Sequence, residues 1–397
     1  MKIPFSPPDI TEQEARAAGE ALLSGWITTG PRTKQLEREV ATFCQVDKAV
    51  CLNSATACLE SILRVLGIGP GDEVITTAYT YTASASVVCH VGATLRLVDT
   101  QAGSYEMDYE QLADCINERT KALIPVDLAG VPCDYDKLFA VVDSMQSLFH
   151  PVNDLQKALG RIAIVADAAH AFGARWKGKM IGSVADFTAF SFHAVKNFTT
   201  GEGGALTWRS RPEIDNERLY KEFQLLSLHG QNKDALEKSQ LNAWEYDIVY
   251  PAYKCNMTDV TAAVGLVQME RYPNMLARRR ELIGIYNQAL QGEDVEVLRH
   301  YTDEYTSSGH LYLVRLNGYN HEARNKVINQ MAERGIATNV HFKPLPMMTA
   351  YKRLGFDIKD FPNAYRQFEN EITLPLYTKL TMEQVEYLLE SFKEIIH

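Results

Sequence analysis

The residues with the most chemistry to offer are Lys196 and Asp167, 29 positions apart in a chain of 397. Asp167 ends the apolar run IAIVAD. A carboxylate there is ordinarily a helix cap or a turn residue. Lys196 follows a stretch in which Phe187, Ala189 and Ser191 alternate with other residues, and it precedes the glycine-rich TTGEGG. In an apolar setting the ammonium form of lysine is disfavoured, which leaves an amine able to form a Schiff base with an aldehyde cofactor. Taken alone, a lysine is more commonly a solvated one. The glycines do not make a nucleotide-phosphate loop, because GEGGA lacks the Gly-Lys-Ser/Thr ending. His193 has no second ligand at metal spacing beside it.

Two further segments bear on the same chemistry. In NSATA, Ser54 is placed to cap a helix whose free N–H groups and positive end would bind phosphate. In AYTYTASAS, Tyr79 and Tyr81 lie just past a strand, where an aromatic ring can stack on a planar heterocycle or simply join the core. In chain order these parts compose a pyridoxal phosphate site: phosphate cradle, stacking ring, acid for the ring nitrogen, phosphate-binding serine and Schiff-base lysine.

Such parts need a scaffold, and the patterning supplies one. A proline-rich start, a helix over about Thr11–Ser24 with the Thr11/Glu14 capping-box pattern and the turn-rich GWITTGP form an arm of about 30 residues. From about Lys48 to Trp208, strands such as AVCLN, DEVITTA, ATLRLVDT, KALIPVDL and RIAIVADA alternate with helical segments. That alternation predicts a mostly parallel sheet covered on both faces, with ligands at the carboxyl ends of its strands. After about Arg271 the pattern changes to a long charged helix, the strand-like HLYLVRL, a helix near Asn325–Arg334, a strand near Ala337–Phe342 and a terminal helix near Thr381–Ile396. The expected organisation is therefore an arm over 1–30, a large α/β domain over 31–270 and a smaller α+β domain over 271–397.

Composition bounds the function. Forty basic against fifty acidic residues give a formal charge of −10, which argues against a broad basic surface for nucleic acid. No apolar stretch approaches the ~20 residues of a membrane helix, and the first residues lack the apolar core of a signal peptide. Seven scattered cysteines without a CxxC pair fit free thiols in a reducing, cytoplasmic setting.

The segments GWITTGP, NSATA, DEVITTAYTYTAS, ADAAHAFGA, SFHAVKNFTTGEGG, LHG, YKCNMTDVTAAVGLVQ and NVHFKPL resemble the nucleotide-sugar aminotransferases of the DegT/DnrJ/EryC1/StrS family, from about Phe5 to the C-terminus. The resemblance implies a fold-type I pyridoxal phosphate enzyme and a homodimer with shared active sites. It assigns Lys196 to the cofactor Schiff base and proton shuttle, Asp167 to the pyridinium nitrogen and His170 to a position beside the ring. It gives Tyr81 to ring stacking and Ala55, Thr56 and Ser191 to the phosphate. Asn256 becomes a phosphate ligand delivered to the neighbouring subunit. Thr28, Thr29, His193 and His341 fall on the substrate side.

Relatives lacking the lysine work as dehydratases, so Lys196 implies amino transfer. The implied reaction moves an amino group from L-glutamate to a keto carbon of a nucleotide-linked sugar. SFHxxK, where C-3 enzymes commonly carry SFYPxK, points to C-4. A C-3 aminotransferase and a cofactor-binding regulator without turnover are the alternatives. One departure from the family is the stretch between Val141 and Arg161, about ten residues longer than expected. It reads as a surface elaboration or, alternatively, as an altered dimer rim or substrate entrance.

Overall fold

The computed structural model describes residues 1–234, 238 and 244–397. The first strands and helices alternate as the apolar pattern requires: β1 (Ala49–Leu52), α3 (Ala55–Val65), β2 (Glu73–Thr77), α4 (Ala83–His90), β3 (Thr94–Val98), α5 (Tyr109–Cys115) and β4 (Thr120–Ile124). Helices α1 (Glu12–Leu23) and α2 (Pro31–Cys44) precede them. The expected Thr11/Glu14 capping box is present at the start of α1. After β4 come α6 (Tyr135–Ser144), α7 (Asp154–Leu159), β5 (Ala163–Asp167), the short pair β6 (Arg175–Trp176) and β7 (Lys179–Met180), then β8 (Phe187–Ser191) and β9 (Gly204–Trp208).

Seven of these strands form one sheet in the order β1-β9-β8-β5-β4-β2-β3. The pairs β3/β2, β2/β4, β4/β5 and β5/β8 are parallel, and only the pairs made by β9 are antiparallel. Alternate residues of one strand feed opposite cores: Ala163 and Val165 of β5 enter one, Ile164 and Ala166 the other. Both faces are therefore covered, which is why β5 reads as an unbroken apolar run. Crossover helices of this kind leave the carboxyl ends of β2, β4, β5 and β8 together at one edge.

Helix α8 (Asn216–Ser227) follows, then α9, which runs unbroken over Asp259–Ala289. Tyr272 and Met275 of α9 pack in a core of the large sheet, whereas Leu282, Ile283 and Tyr286 pack in a third core. That third core lies against an antiparallel sheet of β10 (Val295–Val297), β12 (Tyr312–Leu316) and β13 (Glu371–Leu374). The short β11 (Tyr305–Thr306) pairs instead with β6. Helices α10 (His321–Glu333), α11 (Thr349–Arg353), α12 (Pro362–Glu369) and α13 (Met382–Ile396) complete the chain.

The strand expected near Ala337–Phe342 does not form. Only single bridges occur, Ile336 with Ile3 and Asn339 with Thr373. The reason is local: at His341 the backbone N–H donates to the Glu371 carboxyl at 2.9 Å, and the carbonyl accepts from the Tyr79 hydroxyl at 3.0 Å. Side chains have taken the groups a ladder would use.

The long 141–161 segment holds the end of α6, a 3-10 turn at Gln146–Leu148 and α7. The side-chain amides of Asn153 and Gln156 each donate to the Leu66 carbonyl at 2.8 Å, closing the end of α3. Leu66 lies at the amino-end side of the sheet, remote from the carboxyl ends of the strands.

Candidate active site

One cavity of about 380 Å³ opens at the carboxyl ends of the strands, and Ala55, Thr56, Tyr81, Asp167, His170, Ser191, His193, Lys196 and His341 all line it. The sequence scatters these nine residues over 287 positions, and the crossovers of the sheet bring them to one edge.

The α3 end of the cavity is built for an anion. Ser54 adopts an extended backbone and its hydroxyl accepts from the Ala57 N–H at 3.1 Å, which starts the helix. The N–H groups of the first turn, those of Ala55 and Thr56 among them, have no partner inside the helix. Ser191 pairs with Gly204 across β8 and β9, which brings its hydroxyl beside that turn. A Cβ on Gly204 would stand 2.5 Å from the Ser54 carbonyl carbon and 2.6 Å from the Ala55 nitrogen. Only glycine lets β9 approach the helix start this closely.

At the opposite end Asp167 is 5% exposed. Its Oδ2 accepts from the Ser84 hydroxyl at 2.6 Å and its Oδ1 from the Ala169 N–H at 3.2 Å. Thr80 Oγ1 holds Ser84 Oγ at 2.8 Å. Burial raises the Asp167 pKa above its ordinary value; Ser84, the Ala169 N–H and Lys196 pull it back in part. The carboxylate is thus set to pair with a positive group that enters the cavity.

Lys196 sits in the loop between β8 and β9. The loop is closed by the Lys196 N–H on the His193 carbonyl at 2.9 Å and by the Thr200 N–H on the Phe192 carbonyl at 2.9 Å. Burial lowers its pKa to about 8, against an opposing pull from Asp167. The amine is therefore partly unprotonated near neutrality, as a nucleophile or proton carrier requires.

Three histidines surround the lysine. His170 Nδ1 accepts the Ala129 N–H at 3.1 Å, which places the ring proton on Nε2. His310 Nδ1 lies 2.9 Å from the Asn197 amide oxygen, and the Asn197 amide nitrogen donates to the Ser308 carbonyl at 2.8 Å. His310 therefore carries its proton on Nδ1. Burial first, and then neighbouring charges such as Lys196, hold His170 and His310 well below the ordinary histidine pKa. His341, at about 3, follows the same rule. All three present neutral rings to the cavity.

No pattern in the sequence marks His310 or Asn197 as functional. Nothing in HLYLVRL marks its histidine as other than the start of a strand. The one signal for Asn197 was its place directly after Lys196. Phe5 and Ser6 of the arm also line the cavity. Phe5 stacks on His341 with ring centres 5.6 Å apart, and the Ser6 hydroxyl donates to the Val195 carbonyl at 3.2 Å.

Three expected residues lie off this cavity within the chain. Thr28 is exposed, while Thr29 is buried and donates to the Met257 carbonyl at 2.6 Å. Asn256 donates to the Thr29 hydroxyl at 2.6 Å. Tyr81 is 62% exposed at the cavity mouth, its ring 6.0 Å from that of Phe342.

The model of the DegT/DnrJ/EryC1/StrS aminotransferase family matches residues 8–393. The chain is 36% identical to the spore coat polysaccharide biosynthesis protein SpsC of Bacillus subtilis, over 99% of this chain and 97% of that one. The PLP-form of Spr1654, a putative sugar aminotransferase of Streptococcus pneumoniae, superposes with a TM-score of 0.96 at 56% identity, covering 100% of this chain and 99% of that one. PseC of Helicobacter pylori, an aminotransferase involved in the biosynthesis of pseudoaminic acid, superposes with a TM-score of 0.86 at 26% identity, covering 100% of this chain and 99% of that one. With its mainly parallel sheet, its buried Asp167 and its half-buried Lys196 on one cavity, this chain belongs to the DegT/DnrJ/EryC1/StrS aminotransferase family.

Proposed function

We propose that the protein is a pyridoxal phosphate-dependent sugar aminotransferase that moves an amino group from L-glutamate to the 4-keto carbon of a nucleotide-linked deoxy sugar. The observation that carries this is the meeting in one cavity of the Lys196 amine, the Asp167 carboxylate and the free start of α3. These residues fit the cofactor. The α3 turn and Ser191 offer donors to a phosphate, and Gly204, where a Cβ would press on the Ser54 and Ala55 backbone, lets β9 lie close enough to the helix start to bring them together. Asp167 offers a buried carboxylate to a ring nitrogen, and Lys196 an amine to an aldehyde. When bound, the cofactor supplies an electron sink for breaking and making C–H bonds next to nitrogen.

The chain supplies the rest. Asp167 keeps a proton on the partner nitrogen, because a buried carboxylate is stabilised by a positive neighbour. Lys196, with a pKa of about 8, takes a proton from the donor's carbon and returns one to the acceptor's. The Nε2–H of His170 is fixed as a donor. The polar backbone and neutral rings bind anionic ligands locally in a chain whose formal charge is −10.

We read residues 1–30 as an arm, 31–270 as the cofactor-binding unit and 271–397 as the small unit. The working form is a homodimer: Asn256, off the cavity of its own chain, serves the phosphate of a second copy. Exposed Trp244, Tyr246, Ile248, Val249 and Tyr253 just before it supply an apolar surface for that contact.

The reading is tested by offering keto-sugar nucleotides with L-glutamate, and by locating the new nitrogen by NMR. Nitrogen at C-4, with 2-oxoglutarate released, is expected; nitrogen at C-3 selects the sister reaction. Cofactor that glutamate never converts to its amine form would leave a binding protein without turnover.

A further inference from the structure

A hydrogen-bond chain leads from His341 away from the cavity. His341 Nδ1 lies 2.9 Å from Thr373 Oγ1, and that oxygen lies 2.5 Å from Glu371 Oε1. The second carboxyl oxygen, Oε2, accepts the backbone N–H of His341. With Phe5 stacked on the ring and Tyr79 on the carbonyl, His341 is held on four sides. Nε2 is the ring nitrogen left over.

Proton counting gives this chain two directions. A threonine hydroxyl has one proton to give, and Oε2 already receives an N–H. When Glu371 is a carboxylate it can only accept. Thr373 then donates to it and must accept from the ring, so the ring proton lies on Nδ1 and Nε2 is a bare acceptor. When Glu371 is neutral its proton lies on Oε1 and is donated to Thr373. Thr373 turns its own proton to Nδ1, and the ring proton moves to Nε2.

We infer that Glu371, Thr373 and His341 work as one reversible chain, in which the charge on Glu371 decides whether His341 offers the cavity a hydrogen-bond acceptor or a donor. Glu371 and Thr373 are thus positioning residues. The inference rests on the proposed reading that the cavity takes a keto sugar: an acceptor Nε2 suits a sugar hydroxyl, a donor Nε2 suits a carbonyl. Both states fall in a working range, because burial raises the Glu371 pKa to about 8, opposed by Thr373, the His341 N–H and Arg324. The other titratable groups around Glu371 keep their charge across that range: Arg315, directly opposite it on β12, is a cation throughout. Tyr79 and Tyr105 are raised well above their ordinary values, and Arg324, although lowered, remains a cation. On the cavity side, burial holds His341 itself neutral, and Lys196 adds to the effect.

The test reads ring nitrogens in the resting pyridoxal form of the protein labelled with 15N-histidine, the His341 signals being assigned by their loss in His341→Asn. The protonated nitrogen should be Nε2 well below pH 8 and Nδ1 well above it. In Glu371→Gln the amide oxygen must take the His341 N–H, so its NH2 donates to Thr373 and locks Nε2–H at every pH. Thr373→Val should abolish the pH dependence and Thr373→Ser restore it. A wild-type tautomer that never changes, or a Glu371→Gln tautomer that still does, overturns the inference. No sugar is needed for these readings, so failure to turn over any keto sugar would strike the proposed function alone. With a sugar that is turned over, KM should move roughly five- to tenfold between the two states in the wild type. That part of the pH dependence should be missing in Glu371→Gln, and equal pH dependence in both would also overturn the inference.

Discussion

Replacing Ser84 by alanine isolates one support of Asp167, the carboxylate proposed to pair with the cofactor's ring nitrogen. The Ser84 hydroxyl donates to Asp167 Oδ2 at 2.6 Å, and the Ala169 N–H is the other donor, at 3.2 Å. A hydrogen bond to an ionised group is worth about 1.5–3 kcal/mol and one to a neutral group about 0.5–1.5 kcal/mol. Losing it therefore disfavours the ionised form by roughly 1–1.5 kcal/mol, or about one pKa unit. Cofactor with a protonated ring nitrogen binds the ionised form, so affinity falls at low pH as Asp167 takes up a proton. The acid limb of the affinity profile then reports the Asp167 pKa in the cofactor-free protein.

In Ser84→Ala that limb should shift up by about one pH unit, while the plateau affinity changes little, because above the limb both bound and free states have lost the same bond. Fluorescence titration with pyridoxal phosphate across pH measures both quantities. An unmoved limb, or a plateau that drops with the limb in place, refutes the role given to Ser84. Linkage gives a second reading. The folded pKa of Asp167 is raised above 3.8 by burial, so its contribution to stability is full below that value and is lost as pH rises through the folded pKa. The thermal midpoint of the cofactor-free variant should accordingly continue to fall over a wider span of pH than that of the wild type.

Other perturbations probe the same framework. In the cofactor-free protein, acylation of the Lys196 amine should show a pH inflection near 8, against about 10.4 for a solvated lysine; a profile without that inflection argues against a desolvated lysine. Gly204→Ala would press a Cβ to 2.5 Å and 2.6 Å from backbone atoms of Ser54 and Ala55. It should cost about 1–3 kcal/mol in urea unfolding and weaken binding of the cofactor phosphate, and an unchanged pyridoxal phosphate affinity would count against the cradle. Asp186 is 2% exposed and accepts from Arg161 at 2.7 and 3.0 Å, from Arg211 at 2.9 Å and from the Ile164 N–H at 2.9 Å. Asp186→Ala takes the buried carboxylate from Arg211 and leaves Arg161 only the exposed Asp143 and the Ile162 carbonyl, so it should destabilise the fold by about 3–5 kcal/mol without touching the cavity; a loss below ~1 kcal/mol would contradict that count.

What the sequence displays is what short-range physics controls. Strands β1 and β5 are visible because a strand buried on both faces is apolar along its length, and Ile162–Ala166 is such a run, ending in the charge of Asp167; the edge strand β3 shows alternation instead, with Thr94 and Arg96 exposed. Lys196 and Asp167 are ordinary when taken singly; they become visible by their chain order with NSATA, AYTYTASAS and the glycine-rich turn, and by the family resemblance that these segments carry together. The expected strand at Ala337–Phe342 fails on a rule of longer range. Its residues have strand-forming side chains, yet the Glu371 carboxyl and the Tyr79 hydroxyl, 30 and 262 positions from His341, claim the backbone first.

The histidines carry this furthest. A histidine's role depends on which ring nitrogen holds the proton, and its partner decides that. For His170 the partner is the backbone of Ala129, for His310 the amide of Asn197, and for His341 the hydroxyl of Thr373, at separations of 41, 113 and 32 residues. None of these distances corresponds to a helix turn or a strand repeat, so no periodicity in the chain announces them. A motif can therefore name the residue that reaches the substrate, while the direction in which that residue gives or takes a proton is set by elements that fold onto it from elsewhere. His341 is the sharpest instance. The motif NVHFKPL places it at the cavity, but whether it donates or accepts there is settled on β13, by a glutamate and a threonine that no local pattern connects to it.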